Sequence, residues 1–377
     1  MKGKQGLVCM GLLLVLSSCH TGKQITASGL QRKDFQTEVN GQHTDLFTLS
    51  NKQGMEVCIT NYGARVVSIL VPDRNGKRED VVCGFSTITE YMEQRQNFGS
   101  TVGRYIGRIL NARFTLDGVE YKLVPNNGKS GHISHGGNPG FADRIWKVEQ
   151  ADTHRVCLTY LSPDGENGFP GNLKVTLVYS LGEDDNALDL TYEATTDAPT
   201  VLNLSHHSFF NISGNFTKSV EDQQLWVDAD RFTPYDDKKC VTGEYLPVAG
   251  TPLDFRMPHT IGECIDADHP QLKVVNGYDH TWELNTKGDD TRPAAWVYDP
   301  ASGRKMEIFT TEPGMQIYTG NGLKGKMTGK GGIAYPFRSA VCFETMHFQD
   351  SPNQPGFPST VLRPGEVFRS HTVYKFE

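Results

Sequence analysis

Leu173-Lys-Val-Thr-Leu-Val-Tyr-Ser-Leu181 and then Leu188-Asp-Leu-Thr-Tyr-Glu-Ala194 alternate apolar and polar side chains almost without a break. A period of two sends successive side chains to opposite faces, so both runs read as strands with one face on a core. Val156 to Tyr160 precedes them with the same pattern, and the three together predict an antiparallel meander. Reading outward, Arg113-Phe-Thr-Leu116, Asp117-Gly118 and Val119-Glu-Tyr-Lys-Leu123 form a hairpin with a type I′ turn. Val57, Ile59, Val67, Ile69 and Val71 alternate ahead of a turn at Asn75-Gly76, and Leu362-Arg-Pro-Gly-Glu366 turns into a last strand, Val367 to Phe376. Only short helices fit, for example around Thr87 to Gln94. There is no internal repeat and no linker within residues 37–377. The fold class is mainly β: one large antiparallel sandwich, too long for a small barrel.

Composition agrees. The 377 residues include 39 Gly and 19 Pro, which suits many short strands joined by tight turns. With 37 Lys plus Arg against 44 Asp plus Glu, the formal charge is −7. A mildly acidic chain with no basic block lacks the footprint of a nucleic-acid binder. A mean hydropathy of −0.44 and one short apolar run exclude a multi-spanning membrane protein.

The apolar run is Leu7 to Leu16, behind Lys2 and Lys4. It is too short to cross a bilayer and reads as a secretory signal. Leu16-Ser17-Ser18-Cys19 resembles a bacterial lipobox, so residues 1–18 are expected to leave and Cys19 to carry lipid. His20 to Gln36 reads as a polar, flexible tether, with the folded domain spanning 37–377. The expected location is the cell envelope of a Gram-negative bacterium, periplasm or outer membrane. Cys58, Cys83, Cys157 and Cys342 sit in apolar, strand-like sequence and are expected in the core. Cys240 and Cys264 lie in loop-like sequence, where one disulfide is compatible with an oxidising compartment. No cysteine spacing suits zinc.

Several stretches carry polar groups that a fold must justify. Gly103-Arg-Tyr-Ile-Gly-Arg-Ile109 has two arginines in an apolar run, each a hydroxyl binder or an internal salt-bridge partner. Gly131-His-Ile-Ser-His-Gly-Gly137 sets His132 and His135 in a glycine-rich loop, as site residues or loop-capping donors. Leu202-Asn-Leu-Ser-His-His-Ser-Phe-Phe210 pairs His206 and His207, which must point to opposite faces, so one at most enters a given pocket. Asp279 follows Gly277-Tyr278, and Gln316 ends Thr311-Glu-Pro-Gly-Met-Gln316. Glu344 lies in the apolar strand Val341-Cys-Phe-Glu-Thr-Met-His347, and a carboxylate there needs a partner or a function. Asp228 and Asp230 are read as sharing one strand face, a solvated acidic pair or a calcium candidate. Together these residues supply a carboxylate base, an imidazole acid and hydroxyl-binding groups, a set suited to proton transfer on a polyol.

At this point the chain resembles the galactose mutarotase (aldose 1-epimerase) family. Asn97-Phe-Gly-Ser-Thr-Val-Gly-Arg-Tyr-Ile-Gly-Arg-Ile109 with Asn111 to Gly118 carries the resemblance. So do Asn126-Asn127, His135-Gly-Gly137, Gly140-Phe141 ahead of Trp146, Ser162-Pro-Asp-Gly-Glu-Asn-Gly-Phe-Pro-Gly-Asn172, and the run from Phe343 to Glu366. The resemblance implies a β-supersandwich with a sugar cleft on a concave sheet, and interconversion of the anomers of hexoses such as galactose and glucose. It implies that Glu344 is the general base on the anomeric hydroxyl and His207 the acid at the ring oxygen. Arg108, His135 and Asp279 match sugar-binding positions, and Gln316 another polar residue of the cleft. It implies a monomer that needs no organic cofactor, and no dinucleotide fingerprint is present. The chain departs from the family at Gly107, where Asn is usual, at Ser205-His206 and at Ile133-Ser134. The rival from another class is a non-catalytic carbohydrate-binding lipoprotein. A hydrolase would want a second catalytic carboxylate, for which Asp279 is the one matched candidate.

Overall fold

The computed structural model describes residues 24–377, and the expected signal, lipobox and Cys19 lie outside the described residues. The expected meander forms: Arg155–Ser162, Leu173–Leu181 and Ala187–Thr196 are consecutive neighbours in a nine-stranded antiparallel sheet. The last strand, Phe368–Phe376, lies between Ala187–Thr196 and Lys305–Thr310, so the C-terminus closes the middle of the sheet. Leu173, Val175, Leu177, Tyr179 and Leu181 are all buried, while Lys174 is exposed, as the alternation requires.

Facing it is a six-stranded sheet whose order includes Phe209–Phe210, Val341–Met346, Gly314–Tyr318 and Asp279–Glu283 as neighbours. Its inward side chains, among them Trp282, Met315, Ile317, Val341 and Phe343, join the main core with those of the nine-stranded sheet. Two sheets packed on their apolar faces make the sandwich. A four-stranded sheet containing Glu56–Thr60 and Arg65–Pro72 sends Val57, Ile59, Val66 and Ile69 into the same core, and every residue of Glu56–Thr60 is buried, so both faces of that strand are covered. The Arg113–Leu116 and Val119–Lys122 hairpin turns through Asp117 (φ 52°) and Gly118 (φ 80°), both left-handed as a type I′ turn demands. The short helix Ile88–Gln94 starts at Thr87, whose hydroxyl accepts the Glu90 N–H while the Glu90 carboxylate accepts from Thr87 N–H.

Two expectations need correction, and the pairing left open at Cys240 and Cys264 is answered. Residues 24–36 are not a free tether. Leu30 and Phe35 are buried in a satellite core with Tyr91 and Phe98, and Arg32 bonds Asp45. Apolar burial of two side chains holds a segment whose composition looks flexible. Asp228 and Asp230 do not share a strand face, because Gln224–Val227 ends before them and Arg231–Thr233 begins after them. Asp228 is paired with Arg292 at 2.8 Å and Asp230 with Arg256 at 3.1 Å. Cys240 and Cys264 are free thiols, and the Cys240 sulfur sits 3.2 Å from His132 Nε2. Of the cysteines expected in the core, Cys58, Cys83 and Cys342 are buried and Cys157 is half-buried.

Candidate active site

Five strands position the site and are labelled in chain order: β1 (Arg108–Ile109), β2 (Ser205–His207), β3 (Asp279–Glu283), β4 (Gly314–Tyr318) and β5 (Val341–Met346). The outward face of β3, β4 and β5 forms the floor of an open cleft of about 230 Å³, the scale of a small ligand. On β5 the parity is decisive. Val341 and Phe343 enter the core, so Cys342, Glu344 and Met346 point the other way. Register then aligns Thr281, Gln316 and Glu344 across β3, β4 and β5, and beside them Asp279, Tyr318 and Cys342.

His206 and His207 separate to opposite faces as expected. His206 packs against Tyr179 and Tyr374 in the core, while His207 lines the cleft. His207 Nε2 is 3.4 Å from Glu344 Oε1, its Nδ1 is 3.6 Å from Cys342 Sγ, and its ring stacks on Phe209 at 5.0 Å. The imidazole is therefore clamped with one nitrogen toward the carboxylate. Burial pushes the Glu344 carboxyl well above the usual carboxylate range, and the Asp279 charge nearby pushes it further. Burial pulls His207 well below the usual imidazole value, and His135 adds to that. Burial also holds the Cys342 thiol protonated, so it packs beside the imidazole as a neutral group.

The other expected residues come to the same cleft. His135 faces His207 with ring centroids 5.5 Å apart. Burial and then Arg108 bring its pKa down to about 4. Its Nδ1 accepts the Gly107 N–H at 3.4 Å, which leaves the ring proton on Nε2 as a donor for a ligand. Arg108 lines the cleft with a guanidinium that makes no hydrogen bond to the described residues. Asp279 accepts a 2.6 Å bond from Gln316 Nε2, and Gln316 is itself buried and fixed by Thr281. Burial raises the Asp279 carboxyl, with Arg108 opposing.

Two supporting roles differ from the expected ones. Arg104 is no salt-bridge partner of a single carboxylate. Its buried guanidinium donates to the carbonyls of Pro170 and Gly171 and to Ser162 Oγ, which pins the Ser162 to Asn172 loop against the segment leading to Arg108. Burial lowers its pKa to about 10. His132 caps its loop as an acceptor rather than a donor, taking Asn111 N–H on Nδ1 at 2.9 Å. At Gly136 (φ 78°) a Cβ would stand 2.0 Å from the Gly103 carbonyl oxygen, so only glycine lets the His135 loop close on this segment. Sequence reasoning missed Cys342, whose parity with Glu344 could have found it. It also missed Asn97, Phe209, Tyr318, Met346 and Gln349 on the cleft wall.

Fold and site together define a carbohydrate-active supersandwich protein, with an imidazole and a carboxylate side by side beneath an open polar cleft. Comparison with known proteins agrees. The aldose 1-epimerase family model matches residues 45–375. The chain is similar to galactose mutarotase of Sus scrofa, 38% identical over 330 residues, covering 88% of this chain and 93% of the relative. It is similar to aldose 1-epimerase of Escherichia coli (strain K12), 36% identical over 339 residues, covering 89% and 96%. Among solved structures, an aldose epimerase homologue from C. elegans superposes with a TM-score of 0.81 at 30% identity, covering 89% of this chain and 99% of that one. This chain belongs to the aldose 1-epimerase family.

Proposed function

We propose that this chain interconverts the α and β anomers of free aldohexoses, galactose and glucose among them, with Glu344 as base and His207 as acid. The observation that carries the reading is the 3.4 Å contact between Glu344 Oε1 and His207 Nε2, among hydroxyl-binding side chains. In a cyclic hexose the anomeric hydroxyl oxygen and the ring oxygen are both bonded to C1, so an acid and a base that serve them must stand together.

The steps balance without any group but protons. Glu344 carboxylate takes the proton of the anomeric hydroxyl while His207 imidazolium gives its proton to the ring oxygen. The C1–O5 bond breaks and C1 becomes an aldehyde. Rotation about C1–C2 presents the other face of the aldehyde. On closure neutral His207 takes the proton of the C5 hydroxyl as O5 attacks C1, and Glu344 gives its proton to the aldehyde oxygen, which becomes the new anomeric hydroxyl. Each of the two steps moves between carboxylate with imidazolium and carboxylic acid with neutral imidazole, and both states are neutral overall. A buried site can hold such a pair without carrying net charge, which a lone desolvated ion would forbid. Arg108, His135 and Asp279 hold hydroxyls, and Gln316 fixes Asp279. A pure proton transfer calls for no organic cofactor.

Polarimetry tests the reading. Freshly dissolved α-D-galactose and α-D-glucose should relax to their equilibrium rotations faster with the chain than without it, and Glu344→Gln should remove the acceleration. Folded protein that accelerates neither sugar would leave the sugar-binding alternative, which the relatives do not favour.

We infer further that the protein is exported, acylated at Cys19 and held at the cell envelope as a monomer. The support is the charged start, the Leu7 to Leu16 run and the lipobox-like Leu16-Ser17-Ser18-Cys19. Radiolabelled fatty acid should enter the wild-type protein in a Gram-negative host and not Cys19→Ala.

A further inference from the structure

Gly107 has φ 75°, and a Cβ built on it would stand 2.5 Å from Gln349 Cγ. The space that any other residue at 107 would fill is taken by Gln349, buried at 4% exposure yet on the cleft wall. Its bonds run in two directions. Gln349 Oε1 accepts the Arg108 N–H at 3.2 Å. Gln349 Nε2 donates to the Tyr235 hydroxyl at 2.7 Å and to Gln316 Oε1 at 3.3 Å. Gln316 in turn holds Asp279. One amide thus ties the β1 side of the cleft, with Arg108, to the β3–β4 side, with Asp279.

We propose that Gln349 is the positioning residue that sets sugar specificity, spacing Arg108 from the Gln316–Asp279 pair, and that Gly107 is glycine to admit it. The proposal rests on the epimerase reading of the same cleft. Gln349 bonds neither Glu344 nor His207, so its influence falls on how hydroxyls are held and not on the proton transfers. An interaction felt equally in the bound substrate and the transition state moves KM and leaves kcat.

The test compares Gln349→Met, Gln349→Ala, Gly107→Asn and the double variant Gly107→Asn/Gln349→Ala by polarimetry on α-D-galactose and α-D-glucose. Thermal melts confirm that each folds. Gln349→Met keeps the volume and loses the amide. It should raise KM about tenfold with kcat within about twofold, and change the galactose-to-glucose ratio of kcat/KM. Gly107→Asn alone should also bind poorly, because its Cβ meets Gln349. In the double variant the Asn amide enters the vacated space, at a left-handed position that Asn tolerates, and KM should fall below that of either single variant. Wild-type KM and ratio in Gln349→Met, a fall in kcat alone, or a double variant that only sums the two losses would each overturn the proposal. A wild-type chain inactive on both sugars would instead sink the epimerase reading, and the proposal with it.

Discussion

Glu344 Oε1 and His207 Nε2 stand 3.4 Å apart although their residues lie on different sheets: β5 belongs to the six-stranded sheet and β2 pairs with Ser100–Val102. His207 is brought to Glu344 from outside that sheet, two residues before Phe209–Phe210, the edge strand that pairs with β5. Removing either should cost as much as removing both, because each proton transfer needs its counterpart. Glu344→Gln and His207→Gln should each lower kcat by about 10³-fold or more, with the double variant little worse. Additive losses in polarimetric kcat would contradict a coupled pair. Glu344→Gln should also melt no lower than wild type, since a desolvated carboxyl is replaced by a neutral amide of the same shape.

The pH profile should follow the opposed shifts. The active pair carries one proton in total. His207 loses its own below the ordinary imidazole value near 6.5, and Glu344 keeps its own above the ordinary carboxylate value near 4.5. The acid limb of kcat/KM is thus expected below pH 6.5. The alkaline limb is set by Glu344, raised by burial and Asp279. Asp279→Asn removes that charge and should move the alkaline limb to lower pH, whatever it does to binding. An unmoved limb would mean that Asp279 does not act on Glu344.

A second pH effect belongs to stability. His371 Nε2 lies 2.7 Å from Asp189 and its Nδ1 2.6 Å from Asp290, which raise its pKa to about 9. The folded pKa lies above the unfolded one, so the stabilisation is complete below about pH 6.5 and is lost as pH climbs through 9. Partial exposure screens it to about 1 kcal/mol. Urea midpoints should fall between pH 7 and 10 in wild type, and the slope should flatten in His371→Gln.

Arg104 should matter through folding. Arg104→Ala leaves the carbonyls of Pro170 and Gly171 and Ser162 Oγ without their buried donor, at a cost of about 3 kcal/mol. Arg104→Lys cannot span the same fork and should recover less than half of that loss in urea titrations. Full recovery by Lys would mean that charge alone, not the forked geometry, holds the loop.

Much of this was legible in the sequence, for physical reasons. Strand alternation through Leu173 to Ala194 is forced by one-sided burial. Glu344 stood out because a carboxylate among Val341, Phe343 and Met346 has no cheap explanation. Parity separated His206 from His207, and the family resemblance chose His207 of the two. Leu30 and Phe35 misled because their burial depends on Tyr91 and Phe98, far along the chain, while their neighbours are polar. Asp228 and Asp230 misled because a spacing of two resembles a strand even where the chain turns. Gln349 gave no local signal at all: its partners Arg108, Tyr235 and Gln316 converge only through the fold.

Asp279, Gln316 and Glu344 stand on three adjoining strands of one hydrogen-bonded ladder, Gln316 and Glu344 directly paired and Asp279 two residues along from Thr281 in their row, whereas Gly107, Ser134, His135 and Gln349 border the cleft from loops and short ends. The ladder fixes the base Glu344 and the Asp279–Gln316 pair to a lattice spacing that no single side-chain exchange can stretch. Divergence in sugar choice is thereby easiest at the border, where residues are replaceable one at a time without moving Glu344 or Asp279. A library that varies the border and spares the ladder should yield altered preferences while every active member keeps the same chemistry.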